Sequence, residues 1–133
     1  MRMMIDTNVI LDVLLQREPF YTESKKVLRL CEQKKILGFV SASTITDIFY
    51  ITRKATGSVD ETYRVISSIL KFVNVLSVSN DDVNRALQIK ARDFEDCLLA
   101  VCAKSNKCDA IVTRNAKDFE PFDIPLLLPE QVK

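Results

Sequence analysis

Short apolar runs alternate with longer amphipathic ones along the whole chain, and this alternation limits the fold more than any other feature of the sequence. It is the pattern of repeating βα units, in which a mostly parallel sheet is covered on both faces. MRMMID reads as a first strand ending at Asp6. VILDVLL and YTESKKVLRLCEQKK then read as helices, the second gathering Val27, Leu28, Leu30 and Cys31 near one face. GFVSAS is a second strand. In the helix TITDIFYITRKATG, Ile45, Ile48, Phe49 and Thr52 recur at helical spacing and Gly57 is the stop. Asp60 is the expected cap of ETYRVISSILKF, VNVLSVS is a third strand, and Asn80 or Asp81 is the expected cap of DDVNRALQIKA. ARDFEDCLLAVCAKSNK is another helix and CDAIVT a fourth strand, while PLLLPEQV suits a sheet edge because of its prolines. Helices in most crossovers predict right-handed βαβ units, but the pattern carries no strand order.

Composition adds limits. A length of 133 residues and 47% hydrophobic content suffice for one domain over residues 1–133, and 2 glycines and 4 prolines leave no linker that would divide it. The apolar N-terminus is interrupted by Arg2, Asp6 and Asp12, unlike a signal peptide, and no segment is long enough to span a membrane, so a soluble cytoplasmic protein is expected. Cys31, Cys97, Cys102 and Cys108 form no CxxC and read as reduced, mostly buried thiols. The complete lack of His removes Ser-His-Asp and Cys-His catalysis and the common zinc sites. Hydrolytic chemistry in this chain must use carboxylates, Lys or a metal. A net charge of +1 argues against coating nucleic acid by bulk charge, though not against a local basic rim.

In open parallel sheets, sites form beyond the carboxyl ends of the strands. That rule selects Asp6 after strand one, Asp47 after strand two, Asp96 at the start of the helix before strand four, and Asn115 and Asp118 after strand four. Each has a purely structural alternative. Asp6 could cap the next helix, Thr44-x-x-Asp47 loosely resembles a capping box, Asp93 is the expected cap of the helix carrying Asp96, and Asp118 could belong to a turn. Taken together, acids gathered at one edge repel one another unless a cation neutralises them, and hard carboxylate oxygens suit Mg²⁺ or Mn²⁺. Ala100 and Ala103 share the face of Asp96 and leave little bulk beneath it. Thr7, Asn8, Ser43, Thr113 and Asn115 could hold waters or phosphate oxygens. Arg53, Lys54, Arg92, Lys104, Lys107, Arg114 and Lys117 could form a basic rim, with Arg114 and Lys117 flanking the proposed site. Of the aromatic candidates for base stacking, Phe49, Tyr50, Phe94 and Phe119, core packing is the stronger expectation for Phe49 and Phe94.

The opening MIDTNVILDVLL, the later DFEDCLLAVCAKSNKCDAIVTRNAKDF and their separation resemble a PIN domain, close to VapC-type toxin nucleases. The resemblance spans nearly the whole chain. It implies a three-layer α/β/α sandwich around a mainly parallel sheet of four to five strands, metal-dependent hydrolysis of RNA, a homodimer and a small antitoxin partner. The family's first, second and third acids match Asp6, Asp47 and Asp96, and Thr113-Arg114-Asn115 falls where a Thr-x-Asp or Thr-x-Asn is usual, followed by Asp118. Two positions depart from the pattern: the second acid is usually Glu, and the fourth falls on Asn115, which leaves Asp118 or Asp93 to complete the charge.

The expected mechanism has Asp6, Asp96 and Asp47 binding one or two Mg²⁺ ions (Mn²⁺ as substitute), with in-line attack of water on an RNA phosphodiester to leave a 5′-phosphate and a 3′-hydroxyl. A phosphatase using Asp6 as nucleophile is a rival, weakened because Asp6-Thr7-Asn8 lacks the second acid of a DxD pair. A non-catalytic interaction domain is the other rival, suggested by Asp47 and Asn115.

Overall fold

The computed structural model describes residues 1–133. Its strands are β1 (Arg2–Ile5), β2 (Leu37–Ser41), β3 (Val73–Leu76), β4 (Ala110–Val112) and β5 (Leu126–Leu127). Its α-helices are α1 (Thr7–Leu14), α2 (Tyr21–Glu32), α3 (Ala42–Thr56), α4 (Val59–Ile69), α5 (Asn80–Ile89) and α6 (Phe94–Ser105). A 3₁₀ segment, Ala116–Phe122, joins β4 to β5, and another covers Pro129–Gln131. No helix is long and apolar enough to cross a membrane.

All pairings in the sheet are parallel and the order is β3-β2-β1-β4-β5. The central strands β2, β1 and β4 are buried on both faces, whereas Asn74 and Val75 of the edge strand β3 are exposed. Met3 and Ile5 of β1 join Val9, Val27, Val40 and Ile48 in one core, whereas Met4 joins Leu99, Ala103, Ile111 and Phe119 in a second. Side chains of successive strand residues point to opposite faces, so this one strand feeds both cores. Helices α1 to α4 serve the first core and α5, α6 and the 3₁₀ segment the second, giving the α/β/α layering that the resemblance implies.

Helix starts depart from the sequence expectation in a consistent way. Ser58, not Asp60, caps α4 by accepting a hydrogen bond from the Glu61 amide at 3.2 Å. Ser79, not Asn80 or Asp81, caps α5, and Asp82 returns a bond to the Ser79 amide. Helix α3 takes Ala42 and Ser43 out of the expected second strand and is capped by Ser41, so Thr44 and Asp47 form no capping box. In each case a serine one to three residues earlier supplies the oxygen. The displaced acids Asp60 and Asp81 sit in first turns, where negative charge opposes the positive helix end.

Gly38 of β2 is required by packing. A Cβ there would lie 2.5 Å from Cys31 Sγ and 3.0 Å from Ile5 Cδ1. Gly38→Ala is expected to cost about 1–3 kcal/mol through overpacking; a melting temperature equal to that of the parent protein would contradict this.

Candidate active site at the reversal of strand order

Chain connection runs outward from β1 through β2 to β3, then returns to place β4 on the other side of β1. Between β1 and β4 the order therefore reverses, and the crevice beyond their carboxyl ends is where an open α/β sheet accommodates ligands. Asp6 leaves β1 and Thr113 leaves β4 at this point. The two ends are stitched together by the Asp6 amide, which donates to the Val112 carbonyl at 2.9 Å, and by the Thr113 hydroxyl, which donates to Asp6 Oδ2 at 2.9 Å. Thr113 Oγ1 also accepts the Asn115 amide at 3.0 Å, tying the following loop to the same carboxylate. Asp6 occupies the cap position of α1 without making a side-chain cap bond. Its carboxylate is thus aimed by Thr113 rather than consumed by the helix.

The remaining acids arrive from three elements. Asp47 projects from the second turn of α3 and is exposed. Asp93 accepts the Asp96 amide at 3.0 Å and caps α6, as expected, which leaves the half-buried Asp96 side chain projecting from the first turn. Ala100 and Ala103 lie buried along its face. Asp118 stands exposed on the 3₁₀ segment, its amide bonded to the Asn115 carbonyl at 3.0 Å. A cleft of about 370 Å³ is lined by all of these, Asp6, Asp47, Asp93, Glu95, Asp96 and Asp118, together with Thr7, Asn8 and Asn115.

Three residues expected near the site have other duties. Ser43 bonds Ser41 Oγ at 2.7 Å at the start of α3, and Thr113 lies beneath the cleft as the support of Asp6. Arg114 turns from the cleft to grip buried Asp12, Nε donating to Oδ2 at 2.9 Å and Nη2 to Oδ1 at 3.2 Å, with its guanidinium 3.9 Å over the Phe20 ring.

Sequence reasoning missed Glu95. Its carboxyl meets that of Asp47 across the cleft, and burial, then the hydrogen bond and charge of Asp47, hold its pKa above the ordinary range. Negative charge gathered in this way is disfavoured unless a cation enters. The local signal was present in DFED, which places three acids within one helical turn. Among the aromatics, Phe94 is exposed rather than packed, because it sits on the outer side of the first turn of α6. Phe49 is half-buried against Tyr63, Tyr50 is exposed and Phe119 is fully buried, so Phe119 offers no stacking face. Cys31, Cys97 and Cys102 are buried, Cys108 is half-buried, and all four are free thiols, as expected.

No Lys or Arg lines the cleft. Asp96 has its pKa pushed to about 7, first by burial and then by the charges of Asp93, Asp6, Asp118 and Glu95. Asp6 is also raised, chiefly by burial, although the Thr113 hydroxyl, the Thr7 amide and the charge of Arg114 pull it back. No three carboxylates are arranged as a ready-made cage around one ion. The all-oxygen donor set nevertheless fits Mg²⁺, which is commonly held by one or two carboxylates with waters filling its shell.

The sequence profile of the PIN domain matches residues 2–117. Ribonuclease VapC1 of Aquifex aeolicus (strain VF5) is 28% identical over 138 residues, covering 98% of this chain and 92% of its own. A DNA-bound VapBC crystal structure from Salmonella typhimurium has a TM-score of 0.74 at 18% identity, covering 97% of this chain and 98% of its own. A toxin-antitoxin complex from Klebsiella pneumoniae has a TM-score of 0.69 at 22% identity, with coverage of 97% and 98%.

Proposed function

Because the chain belongs to the PIN-domain family, we propose that it is a Mg²⁺-dependent ribonuclease, the toxin of a toxin–antitoxin pair. The observation that carries this reading is the cleft itself, in which six carboxyls from α1's edge, α3, α6 and the 3₁₀ segment meet without one cationic side chain. Such a wall is disfavoured until a cation enters. Relatedness to a VapC ribonuclease supports RNA as substrate, and likeness to toxin–antitoxin complexes supports a small protein partner.

Asp6 and Asp96 would hold the ion, with Asp47 reaching it directly or through water. When bound, a divalent cation supplies Lewis-acid activation of water and neutralises charge at the phosphate. The protein's own contribution is orientation: Thr113 fixes the Asp6 carboxylate, Asp93 fixes the first turn that carries Asp96, and Glu95 opposes the short Asp47. Thr7, Asn8 and Asn115 on the cleft wall can bond waters or phosphate oxygens. Attack of water on phosphorus with departure of the 3′-oxygen leaves a 5′-phosphate and a 3′-hydroxyl.

Asp6→Asn should lower Mg²⁺-dependent cleavage of end-labelled RNA by at least about 100-fold, since even outer partners of a bound metal are worth 10- to 100-fold. Unchanged cleavage in highly purified protein would remove the assignment. The toxin role predicts growth arrest on expression, relieved by the product of an adjoining small reading frame. The second reading, a non-catalytic interaction domain, is favoured by the lack of a preformed cage and by Asn115 in place of an acid. Calorimetry that detects neither Mg²⁺ nor Mn²⁺ binding, with RNA binding intact in acid variants, would select it.

A further inference from the structure

The cleft has no cation on its walls, so it cannot by itself retain a polyanion on either side of the bond to be cut. The nearby arginines on one side do not help. Arg114 is committed to Asp12, and Arg17 lies 3.9 Å from the same carboxylate and 3.4 Å from Asn8 Oδ1. On the other side the surface is different. A depression of about 520 Å³ shares Asp93, Asp96 and Asp118 with the cleft and adds Arg92, Pro121 and Phe122. Pro121 and Phe122 in turn border a further depression of about 240 Å³, lined also by Arg85, Ile89 and Lys104 and by one acid, Asp123. The three hollows therefore share walls and follow one another from the acids over the seam between α5, α6 and the 3₁₀ segment.

Helical geometry explains the alignment. Asp96, Ala100 and Lys104 fall at i, i+4 and i+8 on one face of α6, so the lysine lies about 12 Å along the axis from the acid. Ala100 is a small residue in the floor between them. Arg85 and Ile89 fall at i and i+4 on the facing side of α5. Arg85, Arg92 and Lys104 are exposed, and none makes a salt bridge. Exposed Ile89 and Pro121 place apolar surface beside these charges, and a positively charged groove of this kind tracks the backbone of an unpaired nucleic-acid strand.

We propose that Arg85, Arg92 and Lys104 form a phosphate track that holds a single RNA strand leading away from the Asp6–Asp96 cleft. The inference rests on the nuclease reading above and assigns residues that it leaves without a role. Lys34 and Lys71 serve as the contrast, because they line a groove at the amino ends of β2 and β3, away from the acids.

The test compares binding of a fluorescent single-stranded RNA in an Asp6→Asn background with and without Arg85→Ala, Arg92→Ala and Lys104→Ala, in the presence of Mg²⁺. Each phosphate contact to a single strand contributes about 0.7 to the slope of log affinity against log salt. The triple change should lower that slope by about 2, so a fourfold rise in salt weakens the parent about 16-fold more than the variant. Lys34→Ala with Lys71→Ala should leave the slope unchanged. An unaltered slope in the triple variant overturns the track, and so does equal competition by duplex RNA. Failure of the nuclease reading registers separately, as the absence of Mg²⁺-dependent cleavage by the unsubstituted protein. All three positions are exposed, and an unchanged melting temperature separates lost contact from lost fold.

Discussion

Asp96→Asn is expected to make the metal-free protein more stable at pH 8 while removing its response to Mg²⁺. In the folded chain the Asp96 carboxyl has its pKa pushed to about 7, by burial first and then by Asp93, Asp6, Asp118 and Glu95 around it, whereas the ordinary value is 3.8. Between pH 4 and 7 the folded state thus keeps a proton that the unfolded chain releases. Stability from this group is complete below pH 4, falls as pH rises through that window, and levels off above about 7. The full separation corresponds to about 4 kcal/mol. Solvent around this half-exposed side chain reduces it to about 1–2 kcal/mol. Asparagine has nearly the same shape, carries no charge, and keeps the bond from the backbone amide of residue 96 to Asp93. The variant should therefore melt several degrees higher at pH 8 and much the same at pH 4. Added Mg²⁺ should raise the melting temperature of the parent and leave the variant nearly unmoved, because only a ligand that binds the folded state shifts it. Equal or lower stability at pH 8 would show that the acids do not strain the cleft.

The same cleft shows how far a sequence can be read by physical rules. The placement of Asp6, Asp47 and Asp96 followed from where apolar runs stop, and those stops are local properties of the chain. Strand order was not legible, because a two-residue period says which face is buried and nothing about the neighbouring strand. Glu95 escaped for a related reason: within DFED three acids compete for one cap, and only the approach of α3 sets Glu95 against Asp47. Arg114 was expected at the cleft because it flanks Thr113 and Asn115, yet its partner Asp12 is 102 residues away in the chain. The clue lay in Asp12, an acid within the apolar VILDVLL, which a buried helix face tolerates only with a partner. Serine caps were overlooked in favour of nearby aspartates, since charge in the first turn and a cap one or two residues earlier leave similar signatures.

That pair underlies the other large effect, the loss of about 3–5 kcal/mol expected for Arg114→Met. Asp12 is fully buried between α1 and α2, where Arg114 supplies two hydrogen bonds and Ser24 Oγ a third at 3.2 Å. Removing the guanidinium leaves a buried carboxylate with Ser24 and the more distant Arg17, at 3.9 Å, as its only partners. Changing both residues together, Asp12→Leu with Arg114→Met, should restore most of the stability, because the penalty belongs to the orphaned charge rather than to the loss of the pair. Urea melts of the single and double variants test this, and equal destabilisation in both would refute it. Activity should divide differently. Arg114 stands between Thr113, which aims Asp6, and Asn115, which lines the cleft, and its charge favours the ionised form of Asp6. The double variant regains an apolar anchor for the loop without regaining that charge. Its cleavage rate, measured well below its melting temperature, should therefore remain depressed at low pH and approach that of the parent protein as pH rises and Asp6 ionises without help.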